Sequence, residues 1–358
     1  MGQFGIGQAV RRREDVRFIT GTGRYVDDER DAGQVYAAFL RSPHAHARIT
    51  ALDTRVAKKA PGVRAIYTGA DVEAAGLGTI KCVAPLKNRD GTNFFNPGRK
   101  LLATDKVRHV GDAVALVIAD SLAEAKDALD LIEVDYAELA AVVDPADAVK
   151  PGAPVLWDEQ PDNVALDWGL GDRNKCDEAF AKAAKIVTLD LAINRVMVAP
   201  LEPRGILAEY DPKTERYTLR IGTQGAFGMR STVAQHLGVK DDKVRVITGD
   251  VGGSFGMKTF DFPENTLLPW AAKQLGRPVK WLSDRQESFI TDTQGREQKV
   301  HAELALDADG HFLAVRADTL ANIGAYLSHF SVFVATMAGF RLLTGAIAFR
   351  RRMCMCAP

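Results

Sequence analysis

Between Arg216 and Asp250 the hydrophobic period changes twice. RYTLRIGTQ (216–224) alternates as a strand, FGMRSTVAQHLG (227–238) has helical spacing with Gly238 at its C-terminal end, and DKVRVITGD (242–250) alternates again. A strand–helix–strand pattern of this length leaves few folding solutions. If the two strands are parallel neighbours, the crossover is right-handed and the loops that follow them open on one edge of the sheet. Thr223-Gln224 and Gly252–Gly256 then face one crevice, the kind of place where open α/β sheets bind ligands.

The second of those loops reads DVGGSFGMK (250–258). Glycines at 252, 253 and 256 permit positive φ and leave successive main-chain N–H groups clear of side chains, an arrangement that accepts an oxygen at close range. Phe255 either covers the bound group as an apolar lid or tucks into the core. Lys258-Thr259 ends the segment as GK[ST] motifs do, but Met257 occupies the glycine position that a phosphate loop requires. GQFGIGQ near the start lacks the third glycine and the preceding strand of a dinucleotide site.

The rest of the chain has an ordinary mixed organisation. VYAAFLR (35–41) and VALVIA (114–119) read as strands, Ser121 and Glu124 form a capping box opening a helix to about Asp130, and LIEVDY (131–136) reads as a strand. NRDGTNFFNPG (88–98) reads as a loop, AVVDPADAVKPGAPV (141–155), with three prolines, as a linker, CDEAFAKAAK (176–185) as a helix and IVTLDLAINRV (186–196) as a strand. His44 and His46, two apart on an expected strand, suit packing better than a metal, because no third ligand accompanies them. Glu202, between prolines in PLEPRG, reads as a turn or surface acid.

Charge separates the function classes. Lys+Arg and Asp+Glu balance at 46 each, which gives no field for nucleic acid or an anionic membrane surface. No apolar run reaches the roughly 20 residues of a membrane span. Arg11, Arg12 and Arg13 precede charged EDVRF rather than an export signal's apolar segment. With only four cysteines and no zinc spacing, a reducing, cytoplasmic setting is expected.

Taken in order, GIGQAVRRREDVRFITGTGRYVDD, VYAAFLRSPHAHARI, KVRHVGDAVALVIADSLAEAKDALDLIEVDY, MVAPLEPRGILAEYD, IGTQ, DVGGSFGMK and RPVKWLSDRQESF resemble the molybdopterin-binding large subunit of the xanthine dehydrogenase, aldehyde oxidase and aerobic carbon monoxide dehydrogenase family. The resemblance implies an α+β fold: an N-terminal segment (1–19), an α/β hammerhead domain (20–140), the linker, and the first part of an incomplete molybdenum-cofactor-binding domain (156–345). It implies a molybdenum–molybdopterin cofactor, of the cytosine dinucleotide type, gripped by Gln224, Gly253, Phe255 and Gly256. Gln224 would hydrogen-bond an oxygen on the metal, and the Gly256 amide would be a second donor. Arg296 falls near an arginine that contacts substrate in the xanthine-oxidising branch.

The same resemblance implies partners: a medium subunit with FAD and a small iron–sulfur subunit with [2Fe–2S] clusters, assembled as a dimer of heterotrimers. The activity implied is oxidation of an aldehyde, a heteroaromatic or a similar small substrate with water-derived oxygen. Ser254, Met257 and Thr259 stand where purine-oxidising members carry a glycine, a glycine and a glutamate, which points away from purines. The family's alanine–tyrosine–arginine loop and its glutamate base have no counterpart before Pro358, so no catalytic residue is expected within this chain. By itself it is expected to be inactive, the alternative being a non-catalytic remnant or binding module. The tail GAIAFRRRMCMCAP has no helix or strand period. We read 346–358 as the product of a single-base shift near Ala346, since restoring one base yields GAYRIPAAYVHVR, which alternates as a strand.

Overall fold

A computed structural model of the chain describes Gly7, Ala9 and residues 11–339, so the tail at 346–358 lies outside the described residues. The strands are β1 (Val35–Arg41), β2 (Ala47–Asp53), β3 (Val63–Thr68), β4 (Lys106–Val107), β5 (Ala113–Ala119), β6 (Glu133–Glu138), β7 (Lys185–Val196), β8 (Gly205–Asp211), β9 (Arg216–Ile221), β10 (Val244–Ile247), β11 (Val279–Leu282), β12 (Gly295–Leu306) and β13 (Phe312–Ala321). They form one 7-stranded sheet in the order β10-β9-β8-β11-β1-β5-β3 and two 3-stranded sheets, β13-β12-β7 and β4-β2-β6.

β5 sits deep in the large sheet because its sequence, AVALVIA, is apolar on both faces and every residue is buried. Alternate side chains serve different cores. Leu116 and Ile118 join Phe39, Ile206, Leu267 and Trp281 on one face, while Ala115, Val117 and Ala119 pack under Ala125 and Ala128 of the helix Leu122–Leu129 on the other. Burying each large aliphatic side chain contributes about 1.5–3 kcal/mol, so this strand anchors both layers. β1 pairs with β5 on one side and, in parallel, with β11 on the other through Val35↔Val279 and Tyr36↔Lys280. A single sheet therefore runs across the segment read as a linker. That segment carries a short helix, Pro145–Ala148, capped by Asp144, and Asn163 donates to its Ala148 and Pro154 carbonyls at 2.9 and 3.0 Å.

The two strand–helix–strand patterns diverge. β9 and β10 are parallel neighbours, in register from Tyr217↔Val244 to Arg220↔Ile247. The helix between them, Ala226–Leu237, ends on Gly238 in the left-handed conformation with φ 67°. β6, by contrast, leaves the sheet of β5 and pairs antiparallel with β2. Its sequence EVDYAE explains this: the alternating, exposed side chains could not be buried on both faces. The helix expected over 176–185 spans Arg173–Ala181, because the Asp172 carboxylate caps it by accepting from the Lys175 amide at 3.1 Å. No helix among the described residues is long and apolar enough to cross a membrane.

Candidate functional site

The loops after β9 and β10 meet around one side-chain oxygen. Gln224 Oε1 accepts from the Ser254 hydroxyl at 2.5 Å, from the Gly256 amide at 2.9 Å and from the Thr259 hydroxyl at 3.0 Å. A main-chain amide can only donate, so the atom facing Gly256 is the carboxamide oxygen, and the orientation of the group follows. The Gln224 Nε2 amide has no partner among the described residues, and the residue is exposed. Below it, the Thr223 hydroxyl donates to the Lys258 carbonyl at 3.0 Å, tying the β9 end to the far side of the glycine loop.

The loop's backbone is strained in the way its glycines predict. Gly253 and Gly256 have φ of 103° and 99°, and Phe255 between them is left-handed at 50° without being a glycine. Phe255 is 79% exposed, so it does not enter the core. Ala199, also left-handed at φ 44°, precedes Pro200, whose Cβ lies 3.1 Å from where a Cβ on Gly253 would stand. The main-chain N–H groups of Gly253, Ser254 and Phe255 have no hydrogen-bond partner among the described residues, and successive free donors of this kind suit an anion or oxygen. The Gly256 amide, expected to reach an external oxygen, is instead directed at Gln224 Oε1, which satisfies it within the loop.

Glu202 is the residue that sequence reasoning misjudged. Rather than a surface acid, it is a largely buried post: its Oε2 accepts from the Gly252 amide at 2.8 Å and from Lys258 Nζ at 2.8 Å, and its Oε1 from the Val26 amide at 3.3 Å. A Cβ on Gly252 would lie 2.5 Å from Glu202 Cβ, which is why that glycine has no substitute. Lys258, whose side chain is 1% exposed, points inward to Glu202 and not toward a phosphate. Burial pulls its ammonium below the usual lysine range, and the Glu202 carboxylate acts against that shift. The available signal was the pair of prolines, Pro200 and Pro203, that fix the backbone on either side of Leu201-Glu202.

A buried ionic cluster lies behind this post. Glu264 accepts from Arg41 at 2.5 Å and from Arg204 at 2.9 Å, and Arg204 also donates to Asp292 at 2.6 Å and to the Thr291 hydroxyl at 2.8 Å. Burial alone would raise the Glu264 carboxyl, but the Arg204 and Arg41 guanidiniums outweigh it and hold the group well below the usual carboxylate range. Asp261 shows the opposite balance. Buried beside Asn265, which donates to it at 3.0 Å, and His236 at 3.3 Å, it is pushed up to about 7 by loss of solvent.

The remaining sequence candidates lie elsewhere. Arg296, the second residue of β12, stands opposite Arg195 with a left-handed φ of 79°, and no hydrogen bond or ion pair among the described residues joins it to Gln224 or the glycine loop. His44 and His46 are not on a strand but in the connection between β1 and β2. Their rings diverge, His44 toward Glu138 at 3.4 Å and His46 toward the Ala140 carbonyl at 3.0 Å, so they do not share a metal.

Comparison with known proteins decides what this arrangement belongs to. Residues 156–354 match the Molybdopterin cofactor-binding domain family, and residues 20–140 match the family described as Aldehyde oxidase and xanthine dehydrogenase, a/b hammerhead domain. The chain belongs to the molybdopterin-binding large-subunit family. Within it, the chain is 39% identical over 321 residues to the nicotine 6-hydroxylase large subunit of Paenarthrobacter nicotinovorans, covering 90% of this chain and 38% of that one. It is 35% identical over 326 residues to the carbon monoxide dehydrogenase large chain of Hydrogenophaga pseudoflava, covering 88% and 39%. The structure of quinoline 2-oxidoreductase from Pseudomonas putida 86 superposes with a TM-score of 0.88 at 34% identity, covering 98% of this chain and 44% of that one. The chain thus spans about two fifths of the length of these large subunits. Its fold is that family's: a hammerhead domain followed by a molybdenum-cofactor-binding domain.

Proposed function

We propose that this chain is the cofactor-gripping portion of a cytoplasmic molybdenum hydroxylase that oxidises an aldehyde, a heteroaromatic or a similar small substrate with water-derived oxygen. The observation that carries this reading is the Gln224 carboxamide, fixed by three donors on its oxygen with its Nε2 amide unpartnered, beside three unpartnered N–H groups at 253–255. That donor set suits the oxygen-rich surface of a molybdenum–molybdopterin group, and the unsubstituted backbone at Gly256, where a Cβ would meet nothing within 4 Å, leaves room for it. When bound, the cofactor supplies the redox chemistry.

The chain's own residues bind and orient. Gln224 Nε2 donates, the amides of Gly253 and Phe255 line the cradle, and the exposed Phe255 ring limits water at its rim. Preorganised donors of this kind stabilise developing negative charge without reorganising during reaction. Glu202 is not a base in this scheme, because Lys258 and two amides occupy its oxygens. The general base is supplied elsewhere in the assembled large subunit, and this chain alone is inactive. Arg296 is assigned a substrate contact only in the assembled site.

Likeness to nicotine 6-hydroxylase and quinoline 2-oxidoreductase favours a heteroaromatic ring as substrate. The relatives' designations as large subunit or large chain favour partners, which we assign as an FAD-binding medium subunit and a [2Fe–2S] small subunit in a dimer of heterotrimers. The cofactor is assigned as the cytosine dinucleotide form. The test is metal and pterin analysis of the purified protein and of Gln224→Ala, followed by assay of the assembled enzyme with aldehydes and heteroaromatics. Stoichiometric molybdenum that falls in the variant is expected. Folded protein free of molybdenum and pterin would return the chain to the class of non-catalytic binding modules.

A further inference from the structure

The hydrogen atoms around Gln224 Oε1 can be assigned without ambiguity. The Lys258 amide donates to Ser254 Oγ at 3.1 Å, so the serine's single proton is free for Gln224 Oε1 at 2.5 Å. The Gly256 amide and the Thr259 hydroxyl bring two more protons to the same oxygen. A carboxamide oxygen has two lone pairs, so three donors saturate it. Rotating the carboxamide by half a turn would set its NH2 against the Gly256 N–H, donor against donor. The hydroxyls lie on the short turn Met257–Thr259 and the residues just before it, with Met257 1% exposed and Ser254 buried, so the donors are anchored from below.

We propose that Ser254 and Thr259 are positioning residues: their hydroxyls lock Gln224 with its Nε2 amide turned outward, so that the glutamine meets its ligand only as a donor. This rests on the cofactor reading above. The atom facing Gln224 must then carry a lone pair, and a ligand that offers an N–H or O–H there is rejected, because the oxygen that could accept it is already full. Without the hydroxyls the Gly256 amide alone orients the group, and the carboxamide is free to tilt away from it. The hydroxyls of Ser254 and Thr259 touch no ligand in this scheme; they act through Gln224.

The test is a double-mutant cycle in the full-length chain, read as apparent molybdenum affinity after dialysis, with urea unfolding run in parallel to verify the fold. Ser254→Ala and Thr259→Val each remove one hydroxyl with little change of shape, and Thr259→Ser keeps it. Removing one such hydrogen bond should weaken retention about threefold to tenfold. Thr259→Ser should match the parent, and in a Gln224→Ala background neither deletion should have any further effect. Equal losses in both backgrounds, or no loss in either, overturn the positioning role while leaving the cofactor reading intact. A parent chain that takes up no molybdenum overturns the cofactor reading itself. Thr259 is exposed, so its two variants decide the matter even if the buried Ser254→Ala unfolds.

Discussion

Helix Leu122–Leu129 and helix Ala226–Leu237 each leave the large sheet from the end of a strand, yet they begin in opposite ways. The first is closed: Ser121 caps it by accepting from the Glu124 amide at 3.2 Å, and Glu124 accepts in turn from the Ser121 hydroxyl at 2.8 Å. The second starts at Gly225 with no side-chain cap, immediately after Gln224. The first leads to a strand that leaves the sheet, the second to a parallel neighbour that turns back as the glycine loop. Where the helix start serves only the fold, a side chain caps it. Where it borders the crevice, donors are left over, and the cost in stability is borne by the buried structure beneath.

Glu264 is where the two regions meet, since Arg41 comes from the end of β1 and Arg204 from the entry to β8. Removing it is the severest way to break the contrast. Glu264→Ala removes the carboxylate that two buried guanidiniums share, leaving Arg41 to Glu287 and Arg204 to Asp292, and should cost about 3 kcal/mol in urea unfolding. If the crevice side alone loosened, judged by amide exchange, the cluster would not be a joint between regions. The triad's stabilisation is present above the ordinary glutamate range and disappears as pH falls through the depressed value that Arg204 and Arg41 impose against burial.

Asp261 carries the next effect, and its sign is reversed. Its carboxyl is held near 7 by burial, against an unfolded value of 3.8, so the folded state keeps a proton that the unfolded chain releases. Stability is therefore highest below the unfolded value and declines as pH rises toward the folded one. Asp261→Asn keeps the acceptor for Asn265 and removes this slope. A gain on the order of 2 kcal/mol at about pH 8, absent at about pH 4, is expected in thermal or urea unfolding. A gain of equal size at both would place the cause in packing instead.

The outcome also marks what the residues alone disclose. Periods of two and of 3.6 mark the strands and helices, and because β9 and β10 are parallel neighbours, the convergence of Gln224 with the glycine loop is legible in the residues. Sheet membership is not: LIEVDY looks as strand-like as DKVRVITGD, and only its exposed alternation, set against the two buried faces beside β5, sends β6 to another sheet. The departures at Ser254 and Thr259 were visible as substitutions but not as hydroxyls aimed at one oxygen. Glu202 escaped because a carboxylate between prolines has no partner in the local sequence. Its partners, Lys258, Gly252 and Val26, are brought to it only by the closed fold.

The smallest effects sharpen the contrast between the two helix starts. Ser121→Ala opens the closed start and should cost about 1 kcal/mol in unfolding free energy, with molybdenum retention unchanged. Gly225→Ser is the converse. A Cβ there meets nothing within 4 Å and the backbone is extended at φ −161°, so the serine fits and gains a few tenths of a kcal/mol as a cap. Its hydroxyl would also occupy the helix-start amides beside Gln224, so retention of molybdenum should fall while stability rises. If retention holds, the open start is only an uncapped helix, and the two crossovers differ in sequence alone. If it falls, the missing cap belongs to the site, and an energetically inferior residue is kept there because a better one would fill the place of the ligand.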